Sequence, residues 1–284
     1  MSRYCDLLLN SESFLESPTP AARASPSRPP CALDIFAAMT ATSHDHPASY
    51  GFDAPYALIG ITGTGLSAVM LAVVAFASGW PTGWFFSLLA LYFLASAASY
   101  AYATRYGKFR VWTQELEGLG LHGTERVLDL GCGRGAVLLH VAKHLDTGRA
   151  TGVDLWRTQD QSGNAEAVTR SNAEAEGVSD RVDLATGDLR ALPFEDADFD
   201  LVVSSLALHN IPGADARERA ITEAYRVLAP GGRLLLADIR HASAYAATLR
   251  RLGAEDVTVR GLGPRFWFGG PLYATRMVSA HKPV

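Results

Sequence analysis

The stretch Val127-Leu-Asp-Leu-Gly-Cys-Gly-Arg-Gly135 decides how the rest of the chain is read. It begins in a short apolar run, Arg126–Leu130, of strand length, and it leads into a helical pattern over Ala136–Leu145. Between them three glycines stand at alternate positions, Gly131, Gly133 and Gly135. A turn this tight, with a ligand close to its backbone, leaves no room for a Cβ. Free N–H groups at the start of the following helix can then receive an anionic group.

Downstream, short apolar runs alternate with mixed segments. Strands are predicted at Ala150–Asp154, Val182–Thr186, Phe199–Ser204, Gly232–Asp238, about Glu255–Arg260 and about Tyr273–His281. Helices are predicted at Asn164–Glu176, Arg217–Val227 and Tyr245–Leu252. With the first strand this makes a doubly wound, seven-stranded, mostly parallel α/β sheet with right-handed crossovers.

A glycine loop alone is weakly informative. Gly131, Gly133 and Ala136 also satisfy the dinucleotide pattern of nicotinamide enzymes. Three acids separate the readings. Asp129 stands two residues before the first glycine, Asp154 ends the second strand, and Asp188 follows the third in Gly187-Asp-Leu189. Open α/β sheets bind ligands at the carboxyl ends of their strands, where a carboxylate can accept ribose hydroxyls. Nicotinamide folds usually carry an apolar or small residue at the position of Asp129.

The ordered set resembles the class I (Rossmann-like) S-adenosylmethionine-dependent methyltransferase superfamily, over about Val111–Val284. Val127–Gly135 looks like its motif I, and Thr151-Gly-Val-Asp154 is similar to the next motif. Ala185–Asp188 with Leu192-Pro-Phe194, Phe199–Ser205, and Arg226–Leu235 are similar to those that follow. The resemblance implies S-adenosyl-L-methionine as cofactor. Asp129, Gly131, Gly133 and Gly135 would hold its methionine moiety, and Asp154 its ribose. Leu155 would pack on the adenine, and Asp188 with Leu189 would address the adenine amine and ring. It also implies a last strand inserted antiparallel between strands five and six.

Methyl transfer needs positioning more than a strong catalyst, because the cofactor carries the reactivity. His209, after strand four, is the candidate base, against a loop-ordering role. Asp238 and His241 rank behind it. Leu155–Asn164 reads as a polar loop that either closes over ligand, with Trp156 stacking, or lies on the surface with one buried Trp. Arg265-Phe-Trp-Phe-Gly-Gly-Pro271 is expected to line an apolar pocket, rest on a membrane, or pack at the sheet edge. His140 and His144 are four apart but lack acidic or cysteine partners, so no metal is expected. Cys132 reads as a small loop filler. Cys5, Cys31 and Cys132 have neither disulfide nor zinc spacing.

Upstream the character changes. From Ala54 to Thr104 there is no Asp, Glu, Lys, Arg or His. The run exceeds two crossings at ~20 residues each, and Gly79-Trp-Pro-Thr-Gly83 divides it with a turn. Helices are predicted at about Tyr56–Ser78 and Pro81–Thr104. The alternative is a pair of buried core helices. Arg105, Lys108 and Arg110 follow the second helix, which puts that end in the cytosol. Ala68, Ala72, Ala97 and Ala101 have the spacing of close helix contacts. Met1 to about Ala38 is rich in Ser and Pro and is expected to stay disordered, with Met39 an alternative start. His44 and His46 fall in the same lead-in.

The chain of 284 residues has a net charge of −4, without a basic footprint for nucleic acid. The expected organisation is a disordered leader over residues 1–53, a transmembrane hairpin over 54–104, and a methyltransferase domain over 105–284. Its expected partners are a small-molecule or lipid-like methyl acceptor and membrane lipids, at the cytoplasmic face of a membrane. A cofactor-binding module without turnover is the alternative of a different class, and a nicotinamide oxidoreductase a third.

Overall fold

The computed structural model describes residues 48–158 and 161–284; the expectations for the leader up to residue 47 lie outside the described residues. Two long helices come first, α1 (Pro55–Ala77) and α2 (Gly83–Tyr102). Pro55 starts α1 where its missing N–H costs nothing, and Gly79 at φ +73° begins the turn. Each is long and apolar enough to cross a membrane by length and composition. They are not core helices of the domain, because only 17% of each apolar window is buried. What they bury against each other is small: Gly65, Ala68, Ala72 and Ala75 from α1, and Gly83, Ala90, Ser96 and Ala97 from α2. A Cβ on Gly65 would come within 2.9 Å of Leu94, so the close approach depends on that glycine.

The charged residues after α2 do not end the rod. A π-helical turn, Ala103–Gly107, carries it straight into α3 (Lys108–Leu119), a helix that the sequence reading missed. Its face of Val111, Trp112 and Leu116 is buried on the sheet, and the Trp112 indole donates to Ser205 Oγ at 3.1 Å. Gly107 is required here. A Cβ would lie 1.7 Å from the Arg265 carbonyl oxygen.

The sheet has the order β3-β2-β1-β4-β5-β7-β6. Its strands are β1 (Arg126–Leu130), β2 (Arg149–Asp154), β3 (Val182–Thr186), β4 (Phe199–Ser205), β5 (Leu228–Asp238), β6 (Glu255–Gly261) and β7 (Arg276–His281). The first five run parallel, and β7 is antiparallel between β5 and β6, as the resemblance implied. The central strands are apolar on both faces because helices cover both. Those helices are α4 (Leu138–Ala142), α5 (Glu166–Ala175), α6 (Ala214–Val227) and α7 (Ala242–Arg251). Two of the boundary shifts have a plain local cause. The helix expected from Ala136 is shorter because Gly135, at φ +86°, holds the chain in turns before it. The last strand starts at Arg276 because Pro271–Tyr273 forms a 3₁₀ turn.

Residues 48–53 correct the leader's boundary. They form an ordered strap across the domain, held by polar contacts that a solvated tail would lack. Asn172 receives the Ser49 N–H at 3.0 Å and donates to its carbonyl at 3.1 Å. Tyr50 is buried and donates to Glu176 at 2.9 Å.

Candidate active site

The carboxyl ends of β1, β2, β3 and β4 surround one cavity. Asp129, Gly131, Gly133, Asp154, Leu155, Asp188 and Leu189 all line it, so seven residues chosen from the sequence meet in one place. Gly135 does not. A Cβ there would sit 3.0 Å from Leu139 and Thr169, so this glycine serves the packing behind the loop. Gly131 (φ +70°) also packs tightly, with a built Cβ only 2.3 Å from that of Ala207.

The three acids differ in state. Asp129 is 2% exposed. Burial, with Asp154 adding to it, pushes its carboxyl up to about 7, against a lowering backbone hydrogen bond at Leu138. Asp154 ties the loops together. Its Oδ2 accepts the Gly133 N–H at 2.9 Å, and its Oδ1 accepts the Trp156 N–H at 2.6 Å and the Asn164 amide at 3.2 Å. Asp188 faces Arg190, whose Nη2 lies 2.5 Å from its Oδ2, and this guanidinium draws its carboxyl down to about 2. One acid near neutrality, one organising backbone and one fixed as an anion give the cavity graded negative charge. A cationic, hydroxyl-bearing ligand suits that set.

The strap and the first turn of α3 close another wall. Lys108, 4% exposed, donates to Asp53 at 3.0 Å, and both line the cavity. Gln161 donates to the same carboxylate at 3.1 Å and accepts the Arg134 N–H at 2.9 Å, joining strap to glycine loop. Sequence reasoning used Lys108 only as a marker of topology and passed over Asp53 and Arg190. Gln161 and Asn164 do fall in the polar loop it singled out. Trp156 does not line the cavity; its indole donates to Thr186 Oγ1 at 2.8 Å.

His209 is not part of the cavity wall. Its N–H is accepted by Asp238 Oδ2 at 3.0 Å, and its Nδ1 lies 2.7 Å from Oδ1, off the line of a hydrogen bond. Asp238, 1% exposed, also accepts the Ile239 N–H and the Tyr245 hydroxyl. Together these bonds pin the loop after β4, with the His209 ring against Asp238 and outside the cavity wall. His241, outside the wall as well, precedes α7 at φ +62°. Ser205, Leu206, Ala207 and Asn210 instead form the face opposite the glycine loop. Burial pushes the Cys132 thiol up, which keeps it protonated and unreactive. His140 meets Thr113 at 2.9 Å, and among the described residues no group of three or more His, Cys, Asp or Glu side chains could hold a metal ion.

Known proteins are similar to this chain over part of the sheet domain. A family model described as a methyltransferase domain matches residues 128–236. The ubiquinone/menaquinone biosynthesis C-methyltransferase UbiE of Ruegeria sp. is 34% identical over 131 residues, 46% of this chain and 49% of that protein. The 27-O-demethylrifamycin SV methyltransferase of Amycolatopsis mediterranei is 37% identical over 44% and 43% of the two chains. The sterol 4-C-methyltransferase strm-1 of Caenorhabditis elegans is 34% identical over 43% and 34%. The chain thus spans about half or less of the length of these relatives. Among solved structures, the [4+2]-cyclase SpnF superposes with a TM-score of 0.52 at 23% identity, over 62% of this chain and 82% of that one. That likeness concerns the fold. Motif, topology and cavity agree: the chain has the class I methyltransferase fold, and its residues 128–236 match the methyltransferase-domain model.

Proposed function

We propose that this protein is a membrane-anchored methyltransferase that moves the methyl group of S-adenosylmethionine to a small, lipid-like acceptor at the cytoplasmic face. The observation that carries the reaction is the meeting of Asp129, Asp154, Asp188 and the Gly131–Gly133 turn around one cavity. Asp129 and the glycine turn would hold the methionine moiety, Asp154 the ribose, and Asp188 with Leu189 the adenine. Leu155, 41% exposed at the rim, offers the apolar surface on which the adenine would pack. The bound cofactor supplies an electrophilic methyl group; the protein aligns the acceptor and keeps water out. Its wall of Leu206, Ala207, Ile211 and Pro212, interrupted only by Asn210, suits an acceptor of low polarity.

The membrane reading rests on the hairpin. Leu66, Met70, Val73, Trp84, Phe85, Leu88 and Leu91 each expose more than half their surface. Left in water, an apolar belt of this extent would drive association. Asp53 at the foot of α1 and Lys108 just past α2 both line the cavity, so the hairpin's base adjoins the site. An acceptor dissolved in the bilayer would have a short path to it. Relatives named for quinones and for a sterol point to the same apolar class.

Cells with and without the gene, grown on methyl-labelled methionine, test the proposal. A labelled compound in the organic-solvent extract should vanish with the gene and with the Asp154→Ala variant. Label differences confined to the aqueous extract would refute the lipid-like acceptor. No difference in either extract would favour a binding module without turnover.

A further inference from the structure

The connection between β6 and β7 is the part of the domain that the cavity leaves unexplained. Phe266–Thr275 contains no Asp, Glu, Lys, Arg or His, yet it is bracketed by Arg265 and Arg276, both exposed. It forms a closed loop, with Trp267 bridged to Ala274 and the Phe268 N–H donated to the Tyr273 carbonyl at 3.2 Å. Phe266 and Phe268 are buried at its root. Its tip, Pro271–Tyr273, turns outward: Leu272 is 83% exposed and Tyr273 46%.

This loop climbs the hairpin. Ser99 Oγ donates to the Trp267 carbonyl at 3.1 Å, and the Tyr100 and Phe268 rings meet edge-on at 5.1 Å. A Cβ built on Gly269 would lie 3.8 Å from Ile61 and 3.9 Å from Ser96. Counted from the hairpin turn, Ile61 stands roughly 24 Å and Ser96 roughly 20 Å along their helices, at 1.5 Å per residue. A hydrocarbon core ~30 Å thick that begins at the turn would therefore extend past the level of Gly269.

We infer that the Trp267–Tyr273 loop is a second membrane contact, immersed in the near edge of the bilayer beside the hairpin. The inference rests on the membrane reading of that hairpin. Leu272 and Tyr273 enter the acyl and headgroup boundary, while Arg265 and Arg276 remain at the phosphate level. Two anchors instead of one prevent the domain from swinging about α2 and hold its cavity near the lipid surface.

The test uses the full chain in vesicles of phosphatidylcholine with phosphatidylglycerol, with Cys5 and Cys31 replaced by Ser. An environment-sensitive fluorophore is placed in turn through Leu272→Cys, Leu88→Cys and Arg219→Cys, and cofactor binding confirms that each variant is folded. The label at 272 should shift to the blue, lose quenching by aqueous iodide and gain quenching by nitroxide-labelled lipid. At 88 it should be quenched by lipid alone, and at 219 by iodide alone. Iodide quenching at 272 equal to that at 219, with 88 still in lipid, would overturn the inference and leave the hairpin intact. Protection from both quenchers at 272 would show that a protein surface covers the loop, which also overturns it. Iodide access at 88 would overturn the membrane reading itself.

Discussion

The hairpin and the sheet are built from similar apolar residues placed in opposite ways. In the sheet domain the large side chains lie inside: Trp112, Leu128, Leu130, Leu201 and Ile221 are no more than 1% exposed. In the hairpin the inside is Gly65, Ala68, Ala72 and Ala97, while Leu66, Val73, Phe85 and Leu88 face outward. In water, burial of large apolar surface drives packing. In lipid that drive is absent, and helices associate where small residues let their backbones approach. Under the proposed membrane placement each region suits its own solvent, and one continuous rod, α2 through the π turn into α3, joins them.

Paired substitutions can break this comparison. Leu128→Ala should cost about 2–5 kcal/mol of domain stability, because it opens a cavity at a fully buried site. Leu88→Ala, at a position 68% exposed, should leave stability in lipid or detergent unchanged. Equal losses in chemical denaturation would mean that the hairpin packs as a water-soluble core does. The reverse substitution sharpens the point. Ala68→Leu, on the 2% exposed face, should cost about 1–3 kcal/mol by forcing α1 from α2; helix-pair proximity by cross-linking reads it.

Polar groups differ between the regions as well. The hairpin has no charge to titrate, whereas Asp129 titrates near pH 7. Because its carboxyl is raised, the folded empty protein holds that proton more tightly than the unfolded chain. Stability from this group is therefore full below about pH 4 and is lost as pH climbs through about 7. A cationic ligand favours the carboxylate, so cofactor affinity should rise with pH over the same window, by up to about tenfold per unit, and level off above 7. Calorimetric titrations from pH 5 to 8 would show this slope, and Asp129→Asn should flatten it. Asp188, held near 2, contributes nothing in that window. The smallest effect belongs to His209→Ala. It should retain near-full turnover and nearly all of the stability, since the ring lies outside the cavity and the hydrogen bond to Asp238 comes from the backbone N–H, which alanine keeps.

Much of this was legible in the sequence where the signal is local. Val182–Thr186 matched its strand residue for residue, and Asp129, Asp154 and Asp188 could be found because strand ends are marked by the change of pattern after them. What escaped depends on distance or orientation. Lys108 and Asp53 are separated by the whole hairpin, and no local pattern announces their pairing. Helix α3 was hidden because charges at Arg105, Lys108 and Arg110 read as the end of a span, although Val111, Trp112 and Leu116 keep helical spacing. His209 was correctly placed after β4, but only the buried Asp238 shows which way its ring turns.

Titration of the purified full chain with S-adenosylmethionine, beside the Asp154→Ala variant and with reduced nicotinamide dinucleotide as competitor, tests the central assignment most directly. Asp154 joins the glycine turn, Trp156 and Asn164, so its loss should weaken S-adenosylmethionine at least about tenfold. The reduced dinucleotide should not compete. Tight binding of the dinucleotide, or S-adenosylmethionine affinity unchanged in the variant, would contradict the site described.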